Sequence, residues 1–364
     1  MRKLGISLYP EQSTFEADKA YLERAKVLGY ERLFLAMHPD EPKDRTTQAY
    51  QQFLDSLQYA KYLGYEVGIE LNQQALDDLG LNYANLDSIK EMGADIVRLD
   101  NESIASEAAQ MTLNQLDLCI ELNMSQGTQH VDAIMSYSPN NTQLLGSHNF
   151  YPQRYSGLGL DYFNACNQLF KKHGLRTMAF VNSQIATFGP WGTAPDGLCT
   201  LEMHRPMHLA SQVKHLKLMK DIDDIVIANA YASEAELQAA AEAFYSANVA
   251  LRVEISEAAS TIEREMILKN IHSYRGDHSE YMIRSTWLRE LYQHTPIPPH
   301  NNRAIKAGDV IINNDNYLRY KGELQIALKD MPADNRVNVV GRVTSDDQSL
   351  LDSLPPWSTF QLIE

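Results

Sequence analysis

The segment between residues 32 and 71 predicts the fold of most of the chain. It reads RLFLA (32–36), a helical pattern over 46–63, Gly64, and then EVGIEL (66–71). A short apolar run predicts a buried strand, and a 3.6-residue period followed by glycine predicts a helix with a left-handed cap. The segment is therefore a strand–helix–strand unit, which is the repeating element of parallel sheets.

The same unit recurs over the first two thirds of the chain. The strand-like segments are 4–9, 32–36, 66–71, 95–100, 116–122, 144–150, 176–181 and 224–229. Eight successive strand–helix units predict a TIM (β/α)8 barrel. A doubly wound open sheet is the rival, but no Gly-x-Gly-x-x-Gly turn follows the first strand. We predict a barrel domain over residues 1–248.

The pattern changes after Asn248. Alternating segments occupy 250–255, 281–284, 309–312, 322–327 and 336–342, with turns such as PIPP (296–299) between them. Period-2 alternation with proline-rich turns is typical of antiparallel sheets with one buried face. We predict a small antiparallel β-barrel domain over residues 249–364.

Composition narrows the class of protein. The chain has 364 residues, 44% of them hydrophobic, and no apolar run approaches the roughly 18 residues of a membrane span. The strand pattern begins at the N-terminus, so we expect a cytoplasmic protein, with its three distant cysteines reduced. The net charge of −15 argues against nucleic-acid binding, yet a few local arginines could still bind a small anion.

Catalytic candidates are sought where barrel strands end, because TIM-barrel active sites lie at the carboxyl ends of the strands. Glu11 follows strand one, Asp100 ends strand four, and Glu202 lies in the loop after strand seven. Carboxylates from different strands suit glycoside hydrolysis, in which one acid protonates the leaving oxygen and a second acts as nucleophile or base. We favour Asp100 and Glu202 as this pair. A salt bridge or helix cap is the alternative for each.

The stretch SHNFYPQRYSG (147–157) is the densest polar segment and follows strand six. We expect it to form a wall that holds the substrate through Asn149, Tyr151 and Arg154. Arg98 and Arg205 also lie near strand ends, and guanidinium groups bind phosphate in a bidentate manner.

The two histidines near the strand ends, His148 and His204, raise the possibility of a metal site. No His-x-His or His-Glu-x-x-His spacing supports it, so we predict no metal and no cofactor, and interpret His148 as an orienting group.

Several motifs resemble one bacterial family. They are GISLYPE (5–11), HNFYP (148–152) with SGL (156–158), GLCTLEMHR (197–205) and RYKGELQI (319–326). Together they are similar, in order and over nearly the whole chain, to the 6-phospho-N-acetylmuramidases, once labelled outer surface proteins. The resemblance implies a TIM barrel followed by a cyclophilin-like β-barrel.

The resemblance also implies an activity. A member of this family would hydrolyse N-acetylmuramic acid 6-phosphate β-1,4-linked to N-acetylglucosamine, in peptidoglycan recycling, after import and phosphorylation by a phosphotransferase system. HSYRGD (272–277) and IRS (283–285) are similar as well, which implies that Arg275 or Arg284 contacts the substrate. The predicted substrate-binding residues are Tyr9, Arg98, Asn123, His148, Asn149, Tyr151, Arg154, His204, Arg205, Arg275 and Arg284.

Three alternatives stay open at this point. The 2-acetamido group of the substrate could act as the nucleophile, which would leave one carboxylate to orient it. A metal-dependent sugar-phosphate isomerase or epimerase could use the same barrel. Tyr9, Tyr151 and Trp191 could stack on sugar faces, so a carbohydrate-binding protein could use these rings without catalysis. The small phosphorylated disaccharide is the expected partner, with a homodimer open as the alternative to a monomer.

Overall fold

The computed structural model describes residues 2–36, 47–71, 85–99 and 104–364. The chain divides into two compact units, Met1–Phe244 and Tyr245–Glu364. The domain boundary drawn from the sequence lies after residue 248, four residues beyond the end of the first unit and directly before the first strand of the second.

The first unit is a closed barrel of eight parallel strands. They are β1 (Leu4–Leu8), β2 (Arg32–Ala36), β3 (Glu66–Leu71), β4 (Ile96–Leu99), β5 (Cys119–Asn123), β6 (Leu144–Ser147), β7 (Arg176–Val181) and β8 (Asp224–Ile227). Each strand pairs with its sequence neighbours, and β1 pairs with β8 to close the ring. The predicted TIM barrel is confirmed, because an open doubly wound sheet would leave two unpaired edges.

Helices alternate with the strands. They are α1 (Phe15–Val27), α2 (Gln48–Tyr62), α3 (Asp87–Met92), α4 (Ala105–Met111), α5 (His130–Met135), α6 (Leu160–Lys171), α7 (Leu209–Met219) and α8 (Glu234–Tyr245). Gly64 and Gly93, which follow α2 and α3, have φ values of 81° and 105°, a conformation that glycine adopts without strain. None of the helices in the described ranges is long and apolar enough to cross a membrane.

A network of buried charges lies inside the barrel, below a cluster of apolar side chains that includes Phe34 and Phe180. Arg32 is buried and donates to both Glu121 and Asp224. Arg176 lies 2.6 Å from Glu66 and 2.6 Å from Asp224. Burial opposes ionisation of Glu66, but the hydrogen bonds and charge of Arg176 hold the pKa of Glu66 at about 2. Since buried charges are tolerated only when they are paired, this network constrains which strands can be neighbours.

The second unit is a seven-stranded, nearly closed mixed sheet. Its strands are β9 (Val249–Ile255), β10 (His272–Ser273), β11 (Met282–Ser285), β12 (Asp309–Asn313), β13 (Leu324–Ala327), β14 (Val337–Val343) and β15 (Thr359–Ile363), and its helices are α9 (Thr261–Leu268), α10 (Leu288–Tyr292) and α11 (Ser345–Gln348). The strand order is β10-β15-β9-β14-β12-β13-β11. The outer strands approach each other, since the Arg275 amide donates to the Arg284 carbonyl at 2.9 Å.

The predicted second β-barrel domain is confirmed, with one difference in strand direction. The pairs of β9 with β14 and of β12 with β13 are antiparallel, but β9 and β15 run parallel. The last strand of the chain therefore lies beside the first strand of its domain and points the same way. The resemblance of the second unit to cyclophilin stays a prediction.

Candidate active site

A buried arginine organises the carboxyl ends of three barrel strands. Arg98 of β4 is 2% exposed, and its Nη1 donates to Oε2 of Glu70 at 2.8 Å. Its Nε donates to Oγ of Ser147 at 2.7 Å, and its Nη2 donates to Oδ1 of Asn149. The predicted substrate ligand Arg98 therefore lies at the barrel mouth, where it fixes the side chains around it.

Glu70 is the carboxylate that the sequence analysis left out of its candidate residues. It is 25% exposed and stands beside Arg98 in the register of β3 and β4. The available signal was a glutamate near the end of one predicted strand and an arginine near the end of the next. A charge pair at a strand end of a TIM barrel has the position expected of a functional group.

A chain of hydrogen bonds leads from the helical shell to Asn149. His148 is fully buried, with Nε2 2.8 Å from Oδ1 of Asn167 and Nδ1 3.0 Å from Oγ of Ser125. Burial lowers the pKa of His148 to about 4, so the ring is neutral near pH 7. Asn167 then accepts the Nε2 proton and Ser125 donates to Nδ1. The Asn149 amide donates to Ser125 at 2.8 Å, which makes His148 an orienting group without access to substrate.

Tyr9 and Asn123 also lie at strand ends, but they serve the scaffold. Tyr9 is 1% exposed and its hydroxyl donates to the Ala228 carbonyl, so its ring cannot stack on a sugar as predicted. Burial raises the pKa of Tyr9 well above its usual value, which keeps the phenol neutral. Asn123 accepts from the Ser125 amide at 2.9 Å. Glu11 lies in a single 3-10 turn, Pro10–Gln12, directly after β1.

Glu202 anchors a loop. Its carboxylate accepts from the amides of Tyr155 and Gly157, each at 2.8 Å. It also accepts from Nε and Nη2 of Arg205 at 2.8 and 2.7 Å. The hydrogen bonds from Arg205 hold the pKa of Glu202 at about 2. A carboxylate with four donors is strongly held in its ionised form, which is unsuited to a general acid. Glu202 was predicted as one member of a catalytic pair without an assigned role, and of the two roles only that of nucleophile or base fits this ionisation.

Arg205 has no N–H group left for a phosphate. Besides Glu202, it donates to the carbonyls of Tyr151 at 3.1 Å, Asp196 at 2.9 Å and Gln153 at 3.2 Å. These contacts use all five N–H groups of a guanidinium and tie the loop after β6 to the loop after β7. The prediction that Arg205 binds phosphate is therefore wrong in this conformation.

Arg154 and His204 differ sharply in their exposure to solvent. The Arg154 side chain is 63% exposed, and its Nε lies 2.7 Å from Oδ1 of Asp196. Arg154 and Asp196 both line a cavity of about 520 Å³ beside β7. His204 is fully buried, with Nε2 2.7 Å from Nδ1 of His215, and burial lowers its pKa. Arg154 can reach a ligand, whereas His204 cannot contact substrate as predicted.

The remaining candidates lie elsewhere. Asp100 is outside the described residues. Tyr151 is partly buried, and its amide donates to the Cys199 carbonyl at 3.1 Å. Arg275 and Arg284 belong to the second unit, where Arg275 pairs with Asp277. Within the described ranges, no group of three or more His, Cys, Asp or Glu side chains is placed to hold a metal ion.

These observations define a class of protein: a TIM barrel with a carboxylate–arginine pair at its mouth, followed by a separate β-barrel unit. The family model described as 6-phospho-N-acetylmuramidase, N-terminal, matches residues 4–242. The corresponding C-terminal model matches residues 249–363. The chain therefore belongs to the 6-phospho-N-acetylmuramidase family, which by this description is a family of glycosidases.

Two solved structures are similar over the whole chain. An uncharacterized protein of B. cereus is 39% identical, with a TM-score of 0.90, and the match covers 100% of this chain and 99% of that one. A conserved protein of unknown function from Enterococcus faecalis is 25% identical, with a TM-score of 0.75, and the match covers 99% and 96%. Among curated proteins no significant similarity to the chain was found. The two-unit architecture is thus shared with other bacterial proteins.

Proposed function

We propose that the chain hydrolyses the β-1,4 bond between N-acetylmuramic acid 6-phosphate and N-acetylglucosamine, inside the cell, as a step of peptidoglycan recycling. The observation that carries this proposal is the family match, which extends over both units of the chain. The Glu70–Arg98 pair at the barrel mouth supports the proposal.

Glu70 and Asp100 are the carboxylates that we assign to catalysis. Arg98 donates to Glu70 at 2.8 Å, and this charge-assisted hydrogen bond fixes the position of the carboxylate. An ionised carboxylate at a strand end suits the nucleophile, or the group that orients the 2-acetamido nucleophile. In the sequence Asp100 directly follows β4, the strand that pairs with β3. Asp100 would protonate the leaving oxygen, and Glu11 is the second choice for that acid.

Asn149 and Arg154 are the groups that we assign to substrate binding. The side chain of Asn149 is oriented from two sides, because Arg98 donates to its Oδ1 and its amide is held by Ser125. Its amide nitrogen would donate to a sugar or acetamido oxygen. Arg154 lines a cavity of about 520 Å³ and would bind the 6-phosphate in exchange for Asp196.

A comparison of two disaccharides tests this assignment. The enzyme should hydrolyse the 6-phosphorylated disaccharide and leave its unphosphorylated counterpart nearly untouched. Asp100→Asn should abolish hydrolysis while binding of the phosphorylated disaccharide, measured by calorimetry, is retained. Equal turnover of both disaccharides would contradict recognition of the 6-phosphate. Unchanged turnover by Asp100→Asn would contradict the assignment of Asp100 as the catalytic acid.

A further inference from the structure

The second unit contains a cavity of about 1240 Å³. It lies on one face of the sheet formed by β11, β12 and β13. Register places Arg284 beside Gln325 and Gln325 beside Ile311, so these three side chains share that face. The other face carries the fully buried, apolar Ile283 and Ile326. A sheet with one apolar face ordinarily exposes the other to water, and here residues 331–336 form a wall beside that exposed face.

One end of this cavity is polar and rigid. Nε of Arg284 donates to Oε1 of Glu323 at 3.0 Å, and Nε2 of Gln325 donates to the same oxygen at 2.7 Å. Nε of Arg289 lies 3.4 Å from the other oxygen of Glu323. Glu323 is 1% exposed, so a buried carboxylate holds the Arg284 guanidinium in place. Fixing Nε in this way leaves the two Nη groups to face a ligand.

The Nη groups of Arg284 accordingly have donors to spare. Within the described part of the chain, neither Nη1 nor Nη2 makes a hydrogen bond, and Nη1 is 3.9 Å from the exposed Asp277. Asn313 in the same lining is 1% exposed, and its Oδ1 has no hydrogen-bond partner among the described residues. Buried polar groups without partners cost free energy, so a site that leaves them open is suited to a ligand that satisfies them.

The other end of the cavity is apolar. Ile305, Ile311 and Val337 pack together there, with Tyr317 and Met331 against them. Tyr281, which is 48% exposed, belongs to the same lining. A concave site with an apolar wall and a few fixed polar groups is the usual form of a small-molecule site.

We propose that this cavity of the second unit is a binding site for a small organic anion. A carboxylate or phosphate would be held by the Nη groups of Arg284, and the body of the ligand would pack against the tyrosines and the apolar end. Arg284 suits this role because guanidinium binds either anion in a bidentate manner. The proposal concerns binding by the second unit and goes beyond the hydrolysis proposed for the barrel.

Hydrogen–deuterium exchange of the full chain with three probes tests the site and its chemistry. N-acetylmuramic acid carries a carboxylate, N-acetylglucosamine 6-phosphate carries a phosphate, and N-acetylglucosamine is neutral. At least one anionic probe should slow exchange in the peptides that contain 282–285 and 323–327, and the probe that does so identifies the anion. Equal protection by the neutral sugar, or none by either anion, would overturn the proposal. Exchange in these peptides reports on the second unit, so failure here is distinct from failure of hydrolysis.

Two variants and a control complete the test. Arg284→Gln should weaken calorimetric binding of the protective probe at this site about tenfold or more, because it removes the charge-assisted contacts. Tyr281→Ala, at an exposed wall position, should weaken it a few-fold without changing the melting temperature. Arg264→Gln is the control, since Arg264 forms an exposed ion pair with Glu364 outside the lining. Equal loss of binding in Arg264→Gln and Arg284→Gln would show that only the net charge of the unit matters and would overturn the role of Arg284.

Discussion

The barrel unit contains two glutamate–arginine pairs that are nearly equal in their own geometry. In Glu70–Arg98 the shortest contact is 2.8 Å, and the glutamate is 25% exposed. In Glu202–Arg205 it is 2.7 Å, and the glutamate is 26% exposed. Their surroundings differ, and the surroundings decide what each pair can do.

Glu202 accepts hydrogen bonds from backbone amides, whereas Glu70 lies at the carboxyl end of a barrel strand. The amides of Tyr155 and Gly157 complete the hydrogen bonding of Glu202 and hold a loop in place. Arg98 instead distributes its donors over Glu70 and the polar groups of β6 and the segment after it. An ion pair completed by backbone amides stabilises a loop, whereas one at a barrel mouth has the position expected of a functional pair. The predictions below test this distinction, from the largest expected effect to the smallest.

Glu70→Gln should lower kcat for the phosphorylated disaccharide by about 10³-fold, because it removes a carboxylate assigned to the reaction. The melting temperature should also fall, because the buried Arg98 loses a charged partner, although the amide oxygen can still accept from it. The rates are therefore compared below the melting temperature of the variant. Glu70→Asp, which keeps the charge but shortens the side chain, should retain part of the activity. A Glu70→Gln enzyme within a few-fold of wild type would show that the mouth pair is structural.

Glu202→Gln should destabilise the fold by about 1–3 kcal/mol, because charged hydrogen bonds to Arg205 and two backbone amides are weakened. Below its melting temperature the variant should keep activity within about tenfold of wild type. Chemical denaturation and steady-state rates measure the two effects, with the exposed Glu257→Gln as control. A large loss of kcat with unchanged stability would return Glu202 to the catalytic pair and reverse the comparison.

Arg154→Gln should raise KM for the phosphorylated disaccharide about tenfold, since a bidentate phosphate contact is lost. Stability should hardly change, because an exposed ion pair contributes about 0–1 kcal/mol. Arg264→Gln, which breaks another exposed ion pair, is the matched control. An unchanged KM in Arg154→Gln would leave Arg154 as a surface charge only.

Acidification should destabilise the protein between pH 6.5 and about 4. Burial lowers the pKa of His148, His215 and His272 to about 4. Below pH 6.5 the histidines of the unfolded chain bind protons, whereas the buried rings of the folded chain stay neutral. The free energy of unfolding therefore has its full value above pH 6.5 and decreases as the pH falls. The loss is about 1 kcal/mol per histidine between pH 6.5 and 5.5. Melting temperatures from pH 7.5 to 5.5 measure it, with the exposed His294→Gln as control; a flat profile would contradict neutral buried rings.

Much of the fold was predictable because its signals are local. Strand-like runs and glycine caps such as Gly64 and Gly93 depend on neighbouring residues, and they predicted eight strand–helix units in the right order. The parallel pairing of β9 with β15 was not predictable in this way. It joins Val249 to Phe360, and no local pattern reports a partner so far along the chain.

The candidate site was less predictable for the same reason. GLCTLEMHR (197–205) drew attention to Glu202 and Arg205, but the amides that saturate Glu202 belong to residues 155 and 157. His148 was expected to orient other groups, and its partners Asn167 and Ser125 come from a helix and a loop on either side of it. Tyr9 and His204 were expected to touch substrate, and burial, which residue type alone does not reveal, excludes both.

The sequence by itself determined the secondary structure, the closed barrel, the second β domain and the family, because periodicity, caps and motifs depend on residues that are close together in the sequence. Only the tertiary structure decided which polar side chains are engaged and which are available. Hydrogen-bond donors, burial and charge reach a residue from segments far away in the sequence. Glu70 and Glu202 are the same residue type beside the same partner type, and their neighbours in space give them different roles.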